Sequence, residues 1–515
     1  MSTAVSPVVV GGAPLTPAQV LAVARSGASV TLSEDSLKAL RCGRERVEAL
    51  AAAPDPAYGV STGFGALATR HIAPGSRASL QRSLVRSHAA GAGPEVEREV
   101  VRALMLLRLR TLATGSTGVR PATAETLAAL LNARITPVVH EYGSLGCSGD
   151  LAPLSHVALA LMGEGRVRDA SGGCVPAAEA MRAAGIAPVE LGAKEGLALI
   201  NGTDGMLGML VLACQDLERL LRTADVTAAM SVEALLGTDR VFAEELQRLR
   251  PHPGQAASAA NLRALLADSP IVASHRGPDC NRVQDAYSLR CAPQVAGAAR
   301  DTLAHALTVA GRELDSVIDN PVVLDDGRVE SNGNFHGAPV AYVLDFLAIA
   351  AADVASIAER RTDRMLDVAR SHGLPAFLAD DPGVDSGHMI AQYTQAAIVS
   401  ELKRLAVPAA VDSIPSSAMQ EDHVSMGWAA GRKLRRAVDG LTSVLAVELL
   451  TAARALDLRA PLEPGPATGA VVRALREHVP GPGPDRHLAP EIAAAAALVA
   501  DGTVLAAAES VVPLL

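Results

Sequence analysis

The chain has 515 residues, 49% apolar but only 2% aromatic, and a formal net charge of −9. That acidity, with no basic run, argues against a nucleic-acid surface, and an Ala- and Leu-rich chain poor in aromatics suits long packed helices better than sheets. Six cysteines at 42, 147, 174, 214, 280 and 291 form no CxxC pair and read as reduced thiols rather than a disulfide framework.

In chain order, the start "MSTAVSPVVVGGAPL" has no positive region before its short apolar patch, so no secretory signal is expected and a cytoplasmic location is. "TPAQVLAVARSG" and "SEDSLKALRCGRERVEALAA" read as helices, the second capped by Ser33. The Gly-rich loop "YGVSTGFGAL" follows, then the helix "SRASLQRSLVRSHAAG". Residues 95–113, "EVEREVVRALMLLRLRTLA", carry an apolar band wider than one face, so this helix must be covered nearly all round. At 141–156, "EYGSLGCSGDLAPLSH" sets Cys147-Ser148-Gly149 in a Gly-rich turn before a helix.

After residue 190 long helical patterns take over. They run through 195–237 as one or two elements, then 294–319, 338–369, 389–406 and 427–456. Helices this long and apolar bury their faces on one another in a bundle, and subunit contacts are expected to cover the surplus. Asp345 and Asp353 interrupt the most apolar of them, which argues against a membrane span. The Pro/Gly-rich stretch 461–490 reads as a loop before a final Ala-rich helix. The division expected is 1–200, carrying the Gly-rich turn, and 201–515, the bundle and C-terminal helices.

Common catalytic motifs are absent: no P-loop, no GxGxxG opening a helix, no HExxH. "HEYGS" at His140 lacks a second histidine, and no metal site is expected. Ser400 and Lys403 match SxxK, a two-residue coincidence without its partner motifs. What stands out is a series of polar residues inside Gly-rich or apolar segments. They are Tyr58 in "YGVSTGFG", His88 in "RSHAAG", Ser148 in "GCSGD" and Asn201 in "LINGTD". Gln284, Tyr287 and Arg290 follow in "RVQDAYSLRC", then Glu421 in "SSAMQEDHVSMG", with the apolar Phe335 between them in "SNGNFHG".

In this order the segments resemble the aromatic amino-acid ammonia-lyases over about residues 8–505, and among them the histidine-deaminating branch. The resemblance implies a mainly α fold of the fumarase/aspartase-like superfamily, with a long central helical bundle and a smaller N-terminal globular part. It implies a carbon–nitrogen lyase converting L-histidine to urocanate and ammonia, the first step of histidine degradation. It also implies a homotetramer whose sites are shared between subunits, and a prosthetic group, 4-methylideneimidazol-5-one (MIO), made from the chain's own Cys147, Ser148 and Gly149. By resemblance the Gly149 amide nitrogen attacks the Cys147 carbonyl carbon and Ser148 loses its hydroxyl. No external cofactor is implied, and no nucleic-acid or membrane partner.

The residue types suit this chemistry. Ring closure compresses the backbone as only glycine tolerates, and serine brings a hydroxyl that can leave. Ammonia is a poor leaving group and the β-proton scarcely acidic, so an electron sink is needed. By resemblance Tyr58 is the base, with Glu421 the other candidate proton acceptor. Arg290 clamps the substrate carboxylate, and Asn201 and Gln284 complete hydrogen bonds around the carboxylate and MIO. Phe335 packs beside the group, and Tyr287 reaches a neighbouring subunit's site. His88 and Glu421 tilt the expected substrate toward histidine, because a carboxylate facing an imidazole N–H is satisfied and one facing phenylalanine's ring is not. A lyase or aminomutase acting on tyrosine or phenylalanine is the alternative. Departures from the commonest pattern are Cys147 in place of alanine, Ser61, His388 and Tyr393.

Overall fold

The computed structural model describes residues 6–53, 59–63, 70–277, 280 and 283–515. Helices dominate it, and the strands are short: a parallel pair, Val8–Val10 with Val30–Leu32, two antiparallel pairs and one three-stranded sheet. The mainly α reading therefore holds. Two units interleave along the sequence. The first takes in 1–212, 307–344 and 408–432, the second 213–306, 345–407 and 433–515. The chain passes from the first unit to the second inside helix Asp204–Ala234, after Leu212, and the first unit also gathers in two later segments.

Local chemistry explains the helix ends. Ser33 accepts a hydrogen bond from the Ser36 amide at the head of Glu34–Ala52, and Thr16 with Gln19 closes a capping box on Pro17–Ala24. Two expectations need correction. The 461–490 stretch is not all loop: Pro466–Arg476 is helical, started by a proline at its first turn and buried through Val471, Val472 and Leu475. The final Ala-rich segment is two helices, Ala489–Asp501 and Thr503–Glu509, parted at Gly502 with φ +88°.

In the first unit, helix Arg98–Ala113 is buried at every position from Val100 to Ala113, as its wide apolar band requires. Its three buried arginines are tolerated because backbone carbonyls receive them. Arg110 donates to the carbonyls of Gly12, Asp315 and Ser316, and Arg108 to those of Ala198, Asn201 and Ile318. Lys194 is wholly buried and pairs with the equally buried Asp319 at 2.5 Å.

In the second unit, Glu448 on helix Gly427–Asp457 ties three helices together. It accepts from Thr227 at 2.7 Å and Ser231 at 2.8 Å on Asp204–Ala234, and from both sides of the Arg361 guanidinium on Ala338–Leu366. Glu448→Ala is expected to cost roughly 3–5 kcal/mol by stranding the buried Arg361 charge, measured as a lowered denaturation midpoint. Burial and nearby arginines, Arg454 first, push the His388 imidazole down to about 3, and its Nδ1 lies 3.2 Å from the Thr451 hydroxyl. A depressed folded pKa stabilises the protein above the unfolded value, about 6.5, and that contribution fades as pH falls toward about 3. Between pH 7.5 and 5, His388→Gln should therefore lose about 2 kcal/mol less stability than the parent chain, read from denaturant titrations at the two pH values.

Helix Ala338–Leu366 is long and apolar enough to cross a membrane, but 61% of its most apolar window is buried within the protein. Its Asp345 pairs with Lys433. These are features of a core helix.

Candidate active site

The turn at 143–150 is built from glycines in conformations closed to other residues. Gly143, Gly146 and Gly149 have φ of +142°, +64° and +81°. Crowding excludes side chains as well. A Cβ on Gly149 would sit 2.1 Å from the Gly202 carbonyl oxygen, and one on Gly146 would sit 2.2 Å from the Ser425 hydroxyl. Residues 425–426 strap the turn from outside: Ser425 donates to the Gly146 carbonyl at 2.9 Å, and the Met426 amide to Leu145 at 2.9 Å. Beside them Trp428, 2% exposed, donates its indole N–H to the Glu141 carbonyl at 2.7 Å.

Asp150 locks the far end of the turn. It stands at the head of helix Leu151–Leu161 but makes no side-chain cap there. Its carboxylate instead accepts from the amides of Gly205 and Met206, each at 2.9 Å, at the start of the long helix Asp204–Ala234, and from Ser144 at 3.0 Å. Its own amide donates to the Gly202 carbonyl at 2.7 Å. Total burial raises the Asp150 carboxyl to about 7. The Gly149 turn and the break at 201–203 are thus joined, and Arg108 grips that break through the Asn201 carbonyl and an ion pair with Asp204 at 2.9 Å.

Between these parts lies a cavity of about 820 Å³. His88, Ser148, Asn201 and Glu421 meet in its wall, and Leu84, Leu151, Leu197 and Ile200 make the rest largely apolar. The Ser148 hydroxyl donates to Glu421 Oε1 at 3.3 Å, and Ser416 donates to Oε2 at 2.9 Å. Ser417, Ala418 and Met419 all take positive φ, a costly run that the paired Ser416 and Glu421 backbones hold in place. His88 closes helix Arg77–His88, its Nδ1 3.0 Å from the Ser87 hydroxyl; desolvation lowers its pKa, so the ring is neutral at neutral pH. Asn201 is 3% exposed; its amide nitrogen donates to the Asn320 carbonyl at 3.4 Å, while its side-chain oxygen has no partner. Burial, reinforced by Glu421, pushes the Cys147 thiol up to about 12, so it stays protonated beside the turn.

The remaining sequence candidates stand elsewhere. Tyr58 lies outside the described residues. Phe335 is half-buried in the first unit and does not line the cavity. Gln284, Tyr287 and Arg290 belong to the second unit, where Tyr287 is 71% exposed and the Arg290 guanidinium stacks 4.6 Å from its ring centroid. Gln284 lines a separate cavity of that unit. Sequence reasoning missed three contributors: Arg70, which lines the large cavity, and Arg108 and the Asp150 carboxylate, which fix its walls. The buried arginine in an otherwise apolar helix was the available signal for Arg108. Among the described residues no group of His, Cys, Asp and Glu is arranged to hold a metal ion.

Comparison with known proteins gives a consistent picture. The family model for aromatic amino acid lyases matches residues 15–477. A histidine ammonia-lyase of Streptomyces coelicolor is 70% identical, covering 98% of both chains. One of Sorangium cellulosum is 50% identical over 97% of this chain and 99% of its own. Among solved structures, a tyrosine aminomutase of Streptomyces globisporus superposes with a TM-score of 0.93 at 40% identity, covering 99% of each chain. A histidine ammonia-lyase of Trypanosoma cruzi gives 0.90 at 36% identity, covering 98% of this chain and 95% of that one.

Proposed function

The chain belongs to the aromatic amino acid lyase family, and on that premise we propose that it removes ammonia from L-histidine without oxidation, yielding urocanate. The observation that carries the reading is the meeting of Ser148, His88 and the Glu421 carboxylate in one cavity. An imidazole N–H satisfies Glu421, whereas a phenyl ring would leave that charge facing hydrocarbon.

Cys147, Ser148 and Gly149 fit a self-made MIO. Gly149 holds a positive φ in a space with no room for a Cβ, so the third residue of the tripeptide can only be glycine here. Ser148 turns its hydroxyl, the group that must leave, to the Glu421 carboxylate. Once formed, the group supplies an electrophile for the substrate's amino group. The chain's own residues do the rest. Glu421 and His88 hold the imidazole, and the free side-chain oxygen of Asn201 is available to the substrate's polar end. Arg290 pairs with the carboxylate in two-pronged geometry. Gln284 completes the polar contacts, and by family resemblance Phe335, outside the lining of this cavity, is the residue beside MIO. Tyr58 takes the β-proton, which requires neighbouring charge or donors to bring its phenol below its ordinary pKa of about 10.

Tyr287, Gln284 and Arg290 would reach the site of a neighbouring subunit in a homotetramer. The exposure of Tyr287 and the unpartnered Nε of Arg290 support that arrangement.

The test is product formation. Histidine should give urocanate and equimolar ammonia, with tyrosine and phenylalanine giving coumarate and cinnamate at rates about 10⁴-fold lower, the discrimination typical of a site that hydrogen-bonds a group its competitor lacks. Rearranged tyrosine without free ammonia would instead place the chain with the aminomutases.

A further inference from the structure

A second cavity, of about 150 Å³, lies in the first unit, away from the residues assigned above. Four arginines line it, Arg25, Arg98, Arg102 and Arg134, together with the Ser26–Gly27 turn. On a chain of net charge −9 such a cluster runs against the background. Among the described residues Arg25 alone of the four forms an ion pair, with Glu99 at 2.6 Å.

Arg102 is the telling member. It is 3% exposed, on the buried helix Arg98–Ala113. Its Nε donates to the Val23 carbonyl at 3.0 Å and its Nη1 to the Leu131 carbonyl at 3.2 Å, near the ends of helices Pro17–Ala24 and Pro121–Asn132. That much is structural. Its Nη2, however, is buried without any partner, which costs stability unless something accepts from it. Burial first, then repulsion from Arg98 and Arg134, lowers Arg102 to about 10. Arg134 takes φ +57° just after helix Pro121–Asn132, where glycine is the usual residue, and its guanidinium lies 3.4 Å from where a Cβ on Gly27 would sit. Arg98 spends two donors on Thr136 and on the Arg134 carbonyl, which holds it at the rim.

We propose that this cavity is a binding site for a phosphate-bearing small anion, seated on Arg102 Nη2 and clamped by Arg98 and Arg134. Phosphate matches the feature because its several oxygens can accept from more than one planar guanidinium at once. A single carboxylate offers fewer acceptors.

Calorimetric titration of the full-length enzyme at constant ionic strength tests the proposal, with inorganic phosphate, glycerol phosphate and acetate as probes. Saturable binding of a phosphate probe, with acetate at least about tenfold weaker, is expected. Arg134→Gln and Arg98→Gln should each weaken it by about tenfold or more, while urocanate formation in phosphate-free buffer is unchanged. Tighter glycerol phosphate than inorganic phosphate would identify a phosphomonoester as the occupant, and the reverse order would identify the free ion. Both side chains reach the surface, so these variants keep the fold even where Arg102→Gln does not. No saturable binding, equal binding of acetate, or undiminished affinity in Arg134→Gln would overturn the assignment.

Discussion

Ser148→Ala is expected to abolish histidine turnover while leaving the fold intact. The loss should exceed the roughly 10²–10³-fold seen when one preorganised donor is removed from an active site, because the variant has no hydroxyl to eliminate and no electrophile can form. Ser148 contributes little to packing: its hydroxyl makes a single 3.3 Å hydrogen bond to Glu421, and the turn is held by Ser425, Met426 and the Asp150 carboxylate. The parent protein should show an ultraviolet absorbance at the edge of the protein band that the variant lacks. Unaltered circular dichroism beside lost turnover would separate chemistry from misfolding. Full turnover of histidine by Ser148→Ala would mean that the electrophile has been assigned wrongly.

Glu421→Gln is the second large effect. The amide keeps the shape and can still accept from Ser416, but it loses the charge that strengthens a bond to an imidazole N–H. A hydrogen bond to a charged group is worth roughly 1.5–3 kcal/mol, so kcat/KM for histidine should fall by about 10–10²-fold. Any residual phenylalanine turnover should hold or rise, since the charge its ring had to face is gone. A parallel fall for both substrates would place Glu421 in the shared chemistry rather than in recognition of the ring.

Much of this was legible in the sequence because the signals are local. The wide apolar band at 95–113 called for a helix covered on all sides, and Arg98–Ala113 is buried throughout its length after Val100. The glycines around Cys147-Ser148-Gly149 called for compressed backbone, and positive φ is found at Gly146 and Gly149. The helix in 466–476 was hidden because flanking prolines and glycines outweighed a short apolar stripe.

What was not legible depends on distant pairing. Asp150 stands at the head of one helix, yet its carboxylate serves another some fifty residues further on, at Gly205 and Met206. Periodicity can predict that Arg108 is buried but not that its targets are the carbonyls of Ala198, Asn201 and Ile318. The arginine cavity draws on helix ends and a turn spread from Arg25 to Arg134, and no local pattern marks it.

The most direct measurement is the intact mass of the purified full-length chain, taken on a sample whose urocanate production has just been assayed. Ring closure expels one water and loss of the Ser148 hydroxyl a second. The account therefore predicts an active protein lighter than its sequence by two waters, with the deficit confined to the peptide spanning 147–149. A protein of unmodified mass that still deaminates histidine would contradict it.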